Sequence, residues 1–236
     1  MFLSTNKLAL EVQRDLEKYV ELSFGVIGQA LPADHGYGLY SAIAKQHSNL
    51  HDLAGLSLNT ISGQPSHNGE IVLTGSSRLS IRCQSGSIMA VLALAGAQIE
   101  LGKHIIRLAN PEIRQLRPFS DLKARLVTIK HPSEKFDDVT PDWFLDACDR
   151  QLKALGINAS VGIPLNDADE PARKAMRIKR KGEGLQKGKQ RETDYVVGYS
   201  VIVADLLPED SILLQAKGIG GKRKMGCGYF VPYRLK

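Results

Sequence analysis

Near the C-terminus the chain reads Gly218-Ile-Gly220-Gly221-Lys222-Arg223-Lys224-Met-Gly226-Cys-Gly228. Two Gly-x-Gly pairs bracket five residues, three of them basic. Glycine lets the backbone take positive φ and approach a ligand closely. Successive exposed amides then form an anion nest, and lysine and arginine add charge for phosphate oxygens. A Walker loop is excluded, because GxxxxGK[ST] before a helix is absent. A dinucleotide fingerprint is excluded too, because the segment precedes a strand. Six histidines supply groups that can move protons near neutral pH.

The charge distribution points the same way. Nine Lys/Arg and one acid, Glu183, lie between Pro171 and Arg191, a local charge of +8. Lys217, Lys222, Arg223 and Lys224 add four more. The whole chain is only +6, so the remainder carries −6. Basic charge concentrated beside an acidic body is the footprint of a polyanion binder. Cys83, Cys148 and Cys227 stand far apart, which fits neither a disulfide framework nor a zinc site. A reducing cytoplasm is the simplest compartment. The acids Asp137, Asp138, Asp142, Asp146 and Asp149 read as helix-start and solvated surface residues, so no metal and no cofactor are expected. The longest apolar run, Ile88 to Ala97, is half of the ~20 residues that a spanning helix needs. The N-terminal residues lack a secretory pattern, and no membrane is expected.

The elements that must position these groups are legible as periodicities. Val20 to Val26 alternates as a strand with one buried face. Pro32-Ala-Asp34 opens a helix with Asp34 as its N-cap, and Leu39, Tyr40 and Ile43 form its apolar stripe. Leu56–Thr60 and Leu79–Cys83 alternate again. Ser85 to Leu94 reads as a helix, and Gln98 to Leu108 as extended chain broken at Gly102. After a connector holding Pro118 the pattern repeats. Leu122 to Lys130 is a strand. Thr140-Pro141 caps a helix that Gly156 closes. Ile157 to Ile163 is extended. In Arg173 to Lys181, Met176 and Ile178 point one way while Arg177, Lys179 and Lys181 point the other. Thr193 to Val203 is a strand, Pro208 to Gln215 a short helix, and Cys227 to Leu235 the last strand. Two consecutive β-α-β-β-α-β units predict an α+β chain of tandem ferredoxin-like (RRM-like) domains, 1–117 and 118–236, the second carrying the glycine-rich loop. The histidines of interest fall in the first.

The glycine loop resembles that of the CRISPR repeat-processing endoribonucleases, the CRISPR-associated protein six family of the RAMP superfamily. Pro32-Ala-Asp-His35-Gly-Tyr37-Gly-Leu39-Tyr40 resembles that family's first-helix start, and Leu50-His51-Asp52-Leu53-Ala54-Gly55 its Leu-His-x-x-x-Gly segment. Leu122–Lys130 and Pro208–Gln215 match one branch of it, so the resemblance spans nearly the whole chain.

The resemblance implies a metal-independent RNase that cuts precursor CRISPR RNA once per repeat, leaving a 2′,3′-cyclic phosphate and a 5′-hydroxyl. It also implies retention on the guide RNA beside other effector-complex subunits. Attack by the RNA's own 2′-hydroxyl needs a general base, a general acid for the 5′-oxygen, and positive charge at the phosphorane. His51 matches the family's usual catalytic position, and His35 is the second candidate. A helix from Gly36 to Gln46 would separate them by ~15–17 Å unless the following chain folds back. His47, His67, His104 and His131 have no motif support. The family often adds a tyrosine and a lysine, for which Tyr40, Tyr37 and Lys45 are available; where some members carry a tyrosine farther along this helix, this chain has Ala44. RNA phosphates would be held by Arg177, Lys179 and Lys181, and by Lys217, Gly218, Gly220, Gly221, Lys222, Arg223, Lys224, Gly226 and Gly228. Aromatic residues are 6%, which favours backbone and shape readout. Two other readings use the same basic regions: a RAMP-like subunit that holds guide RNA without cutting, and a general RNA-binding protein. Against the second, an aromatic RNP1 segment is missing.

Overall fold

The computed structural model describes residues 19–133, 137–179 and 193–234. Its strands are β1 (Tyr19–Ile27), β2 (Ala30–Pro32), β3 (Ser57–Leu58), β4 (Gln64–Pro65), β5 (Glu70–Val72), β6 (Arg78–Gln84), β7 (Gln98–Leu101), β8 (His104–Gln115), β9 (Leu122–Val127), β10 (Ser160–Gly162), β11 (Arg173–Lys179), β12 (Thr193–Ala204) and β13 (Phe230–Pro232). Its helices are α1 (Gly36–Gln46), α2 (Ile88–Leu92), α3 (Pro141–Ala154) and α4 (Pro208–Lys217). Among the described residues no helix is long and apolar enough to cross a membrane.

Two five-stranded antiparallel sheets organise the chain. The first has the order β3-β6-β1-β8-β7, with β1 central. Alternation puts Leu22, Phe24 and Val26 on one face, where they meet Leu79, Ile81, Leu108 and the Leu39–Tyr40–Ile43 stripe of α1. The second has the order β10-β12-β9-β13, with β11 also paired to β12. Its covered face joins Leu122, Ala124, Tyr199, Val201 and Val203 to Phe144, Cys148 and Leu152 of α3 and Leu214 of α4. Burying a Phe144-sized side chain contributes about 2–3 kcal/mol, which fixes α3 on that face. The fold is thus mixed α+β with antiparallel sheets.

Local signals hold where the chemistry is local. The Thr140 hydroxyl accepts from the Trp143 amide at 3.4 Å, with Pro141 at the helix start. Gly102 turns β7 into β8 at φ +63°. Several expectations need correction. Asp34 does not cap α1: His35 holds that position, and the Asp34 carboxylate accepts instead from the backbone N–H of Arg177 at 2.6 Å. A tertiary donor displaces the local one. The second helix shortens to Ile88–Leu92 after a 3-10 turn at Ser85–Ser87. The last strand is only Phe230–Pro232, because the glycine loop continues to Gly228. A three-stranded sheet, β2-β5-β4, was not expected at all.

The two halves are joined through Arg82, which is 2% exposed. Its Nε donates to Glu21 Oε2 at 2.9 Å, and its Nη1 donates to the carbonyls of Gln215 and Phe230 at 3.0 and 2.7 Å. The guanidinium lies 4.1 Å from the Tyr229 ring centroid, and the Tyr229 hydroxyl donates to the same Glu21 oxygen at 2.7 Å. Residues from both halves also meet around Tyr37, Leu126, Met176, Met225 and Cys227.

Candidate active site

His51 is carried back toward α1 by the 3-10 turn Ser48–Leu50, whose end it forms. Its ring lies nearly parallel to that of Tyr40, at 28° and 6.3 Å between centroids. The imidazole is exposed, and its Nδ1 faces Asp52 Oδ1 at 3.2 Å. That contact leaves Nε2 directed away from Asp52. Tyr40 is mostly buried, and burial, reinforced by the Asp52 carboxylate, pushes its phenol above the usual tyrosine range. The hydroxyl therefore stays protonated at neutral pH.

The glycine loop closes the other side. A cleft of about 430 Å³ lies between Tyr40, His51 and Leu56 on one wall and Lys222, Arg223 and Lys224 on the other. The Lys224 ammonium donates to the His51 carbonyl. Partial burial lowers the Lys224 pKa, and Asp52 offsets part of that. Lys222 is exposed, in left-handed conformation at φ +60°. Arg223 turns inward: its Nη2 donates to the Ala216 carbonyl at 2.8 Å. Burial brings its pKa down to about 10, so it remains charged at neutral pH.

The glycine amides do not supply the anion nest expected of them. They are already used inside the protein. Gly220 N–H donates to Gln151 Oε1 at 2.7 Å, Gly221 N–H to the Thr128 carbonyl at 2.8 Å, and Gly228 N–H to the Leu126 carbonyl at 2.8 Å. Gly218 N–H closes α4 on the Leu214 carbonyl. The glycines are needed for packing. At Gly226 (φ +86°) a Cβ would stand 2.6 Å from Thr60 Cγ2, and at Gly220 (φ +78°) 2.6 Å from the Thr128 carbonyl oxygen. Toward the cleft the loop presents Lys222, Arg223 and Lys224.

The remaining candidates lie elsewhere. His35 is 2% exposed, and both ring nitrogens are occupied. Its Nε2 accepts from the Ile61 N–H at 2.9 Å, so Nδ1 carries the hydrogen donated to the Pro32 carbonyl at 2.7 Å. Burial lowers its pKa, against the Pro32 bond, and keeps it neutral. Lys45 is exposed on the last turn of α1 and does not line the cleft. Lys217 turns toward Tyr19, 5.3 Å from the ring centroid. Arg177 is exposed on β11, opposite Tyr195. Lys179 pairs through its backbone with Thr193, and Lys181 lies outside the described residues. Sequence reasoning did not find Arg82, the anchoring role of Gln151, or Asp52 beside the cleft. Arg82 stands on the face of β6 opposite Leu79, Ile81 and Cys83, where alternation predicts solvent, so the pattern carried no signal for the first.

A family model described as Cas6 Crispr matches residues 20–235. The CRISPR-associated endonuclease Cas6 of Myxococcus xanthus (strain DK1622) is 31% identical over 218 residues, covering 92% of this chain and 83% of the relative. Among solved structures, a CRISPR associated protein Cas6 superposes with TM-score 0.57 at 15% identity, over 92% of this chain and 99% of that one. A Cas6-related protein from Pyrococcus furiosus gives 0.59 at 12% identity, over 92% and 100%.

Proposed function

The chain belongs to the Cas6 family, and we propose that it is the endoribonuclease that cuts precursor CRISPR RNA within the repeat. The observation that carries this reading is the convergence of His51, Tyr40 and Lys224 on one cleft. Their chemistry suits metal-independent cleavage by the substrate's own 2′-hydroxyl. His51, with Nδ1 turned to Asp52, offers Nε2 to take the 2′-hydroxyl proton. The protonated Tyr40 phenol steadies the imidazole face and can donate to a phosphate oxygen. Lys224 and Lys222 set positive charge where the phosphorane develops, and a partly desolvated ammonium acts more strongly than one in water. As the 2′-oxygen bonds to phosphorus the P–O5′ bond breaks, and the leaving 5′-oxygen takes a proton from water in the open cleft, giving a 2′,3′-cyclic phosphate and a 5′-hydroxyl. His35 serves as a structural residue that ties the start of α1 to Ile61.

RNA would run from this cleft toward Arg177 at the start of α1, with the cut guide retained for an effector complex. Two separate sheets with their own cores, joined by 116–121, support reading the chain as tandem ferredoxin-like units divided near residue 117.

The test is cleavage of the host's repeat RNA in excess EDTA, beside RNA with a 2′-deoxy substitution at the mapped cut. One cut, abolished by the substitution, is expected. Tight, salt-sensitive binding without a cut would favour the non-catalytic RAMP-type subunit.

A further inference from the structure

The side chains of the 3-10 turn Arg223–Met225 are held in three different places. Such a turn has about three residues, so neighbours on it project about 120° apart. Arg223 Nη2 donates to the Ala216 carbonyl at 2.8 Å. The Lys224 ammonium donates to the His51 carbonyl. Met225 packs against the cluster of Leu126, Met176 and Cys227. Each anchor therefore limits the rotation of the other two.

Arg223 lines the cleft, but its guanidinium is turned to α4. Its Nε is buried and has no hydrogen-bond partner among the described residues. Bidentate binding of a phosphate needs an open fork, and here Nε is shut off while Nη2 is engaged. A Cβ at Gly218 would stand 2.8 Å from that Nε, so glycine leaves the side chain its place against α4. The group stays charged at neutral pH, which strengthens its bond to a carbonyl at the negative end of the helix.

That helix end is itself fixed. The Gln215 carbonyl, next to that of Ala216, accepts from Arg82 Nη1 at 3.0 Å. Adjacent carbonyls of α4 thus take one arginine from the first sheet and one from the glycine loop. We propose that Arg223 is a positioning residue for the cleavage reaction: clasped to Ala216, it sets the rotation of the turn that aims Lys224 at His51. It reaches no RNA phosphate itself. This role rests on the RNA-processing reading above.

The test compares wild-type protein with Arg223→Met and Arg223→Lys on the host's repeat RNA, at a temperature well below all three melting temperatures. Arg223→Met keeps an apolar stem and removes the clasp, and Arg223→Lys restores one donor. Single-turnover cleavage by Arg223→Met should be about 10- to 100-fold slower, the loss expected when a reacting group is misplaced by about 1 Å. RNA affinity and its log–log salt slope should stay at the wild-type values, and Arg223→Lys should recover most of the rate. A slope lowered by about 0.7 in Arg223→Met, the value for one single-strand phosphate, would make Arg223 a phosphate ligand and overturn the proposal. An unchanged rate would overturn it too, as would Arg223→Lys cutting as slowly as Arg223→Met; each leaves the cleavage reading intact. Wild-type protein that binds repeat RNA without cutting it would overturn both.

Discussion

Lys224 donates its ammonium hydrogen to the backbone carbonyl of His51, across 173 residues of chain. This contact brings the glycine loop of the second half onto the turn that follows α1 in the first. The cation and the imidazole therefore share one cleft, and neither half alone contains the site.

Replacing the two candidate histidines should separate chemistry from structure. His51→Ala is expected to abolish cleavage while RNA affinity and melting temperature stay near wild type, because the ring is exposed. His35→Ala is expected to lower stability by about 2–4 kcal/mol, since it leaves the buried Ile61 N–H and the Pro32 carbonyl without partners. Thermal melts and single-turnover cleavage measured side by side would distinguish the pair.

Lys224→Ala should slow cleavage by about 10²-fold, with a smaller loss of RNA affinity. The pH dependence has a definite sign. Burial disfavours the ammonium, so the charge is present at low pH and is lost as pH rises through a value below that of a free lysine. Activity should fall on the alkaline side, and Lys224→Arg, which holds its charge, should move that fall to higher pH. A pH–rate profile with the same alkaline limb in both proteins would remove Lys224 from the reaction.

Arg82→Ala should destabilise the protein by about 3–5 kcal/mol. It strips the partner from Glu21 and leaves the Gln215 and Phe230 carbonyls without their donor. The denaturant midpoint is the readout. A change near zero would mean that Arg82 does not join the halves.

Gly226→Ala should cost about 1–3 kcal/mol and reduce cleavage, although every charged residue of the loop is retained. A Cβ there meets Thr60 in a left-handed backbone, so the loop must shift off the His51 wall. Cleavage at the wild-type rate would show that the loop tolerates the displacement.

The sequence carried much of this in local form. The alternation of β1 and the Thr140-Pro141 start of α3 express contacts within a few residues, and both elements form where the periodicity places them. His51 is a candidate through the resemblance of its short Leu-His segment, and the structure lines the Lys222–Lys224 cleft with it. What was illegible depends on partners far along the chain. Asp34 has the chemistry of a cap, but the Arg177 amide, 143 residues away, takes its carboxylate. The glycine loop has the composition of a nest, but Thr128, Gln151 and Leu126 take the amides of Gly221, Gly220 and Gly228. Two-residue strands such as β3 and β4 are too short for periodicity to register.

The most direct test is crosslinking from the scissile position. Repeat RNA blocked by a 2′-deoxy group at the cut, with photoreactive nucleotides on either side, would be bound, irradiated and mapped by peptide mass spectrometry. Crosslinks to both the Tyr40–His51 segment and the Lys222–Met225 segment are expected from those nucleotides. Crosslinks to only one of the two, or to neither, would contradict a single cleft built from both halves of the chain.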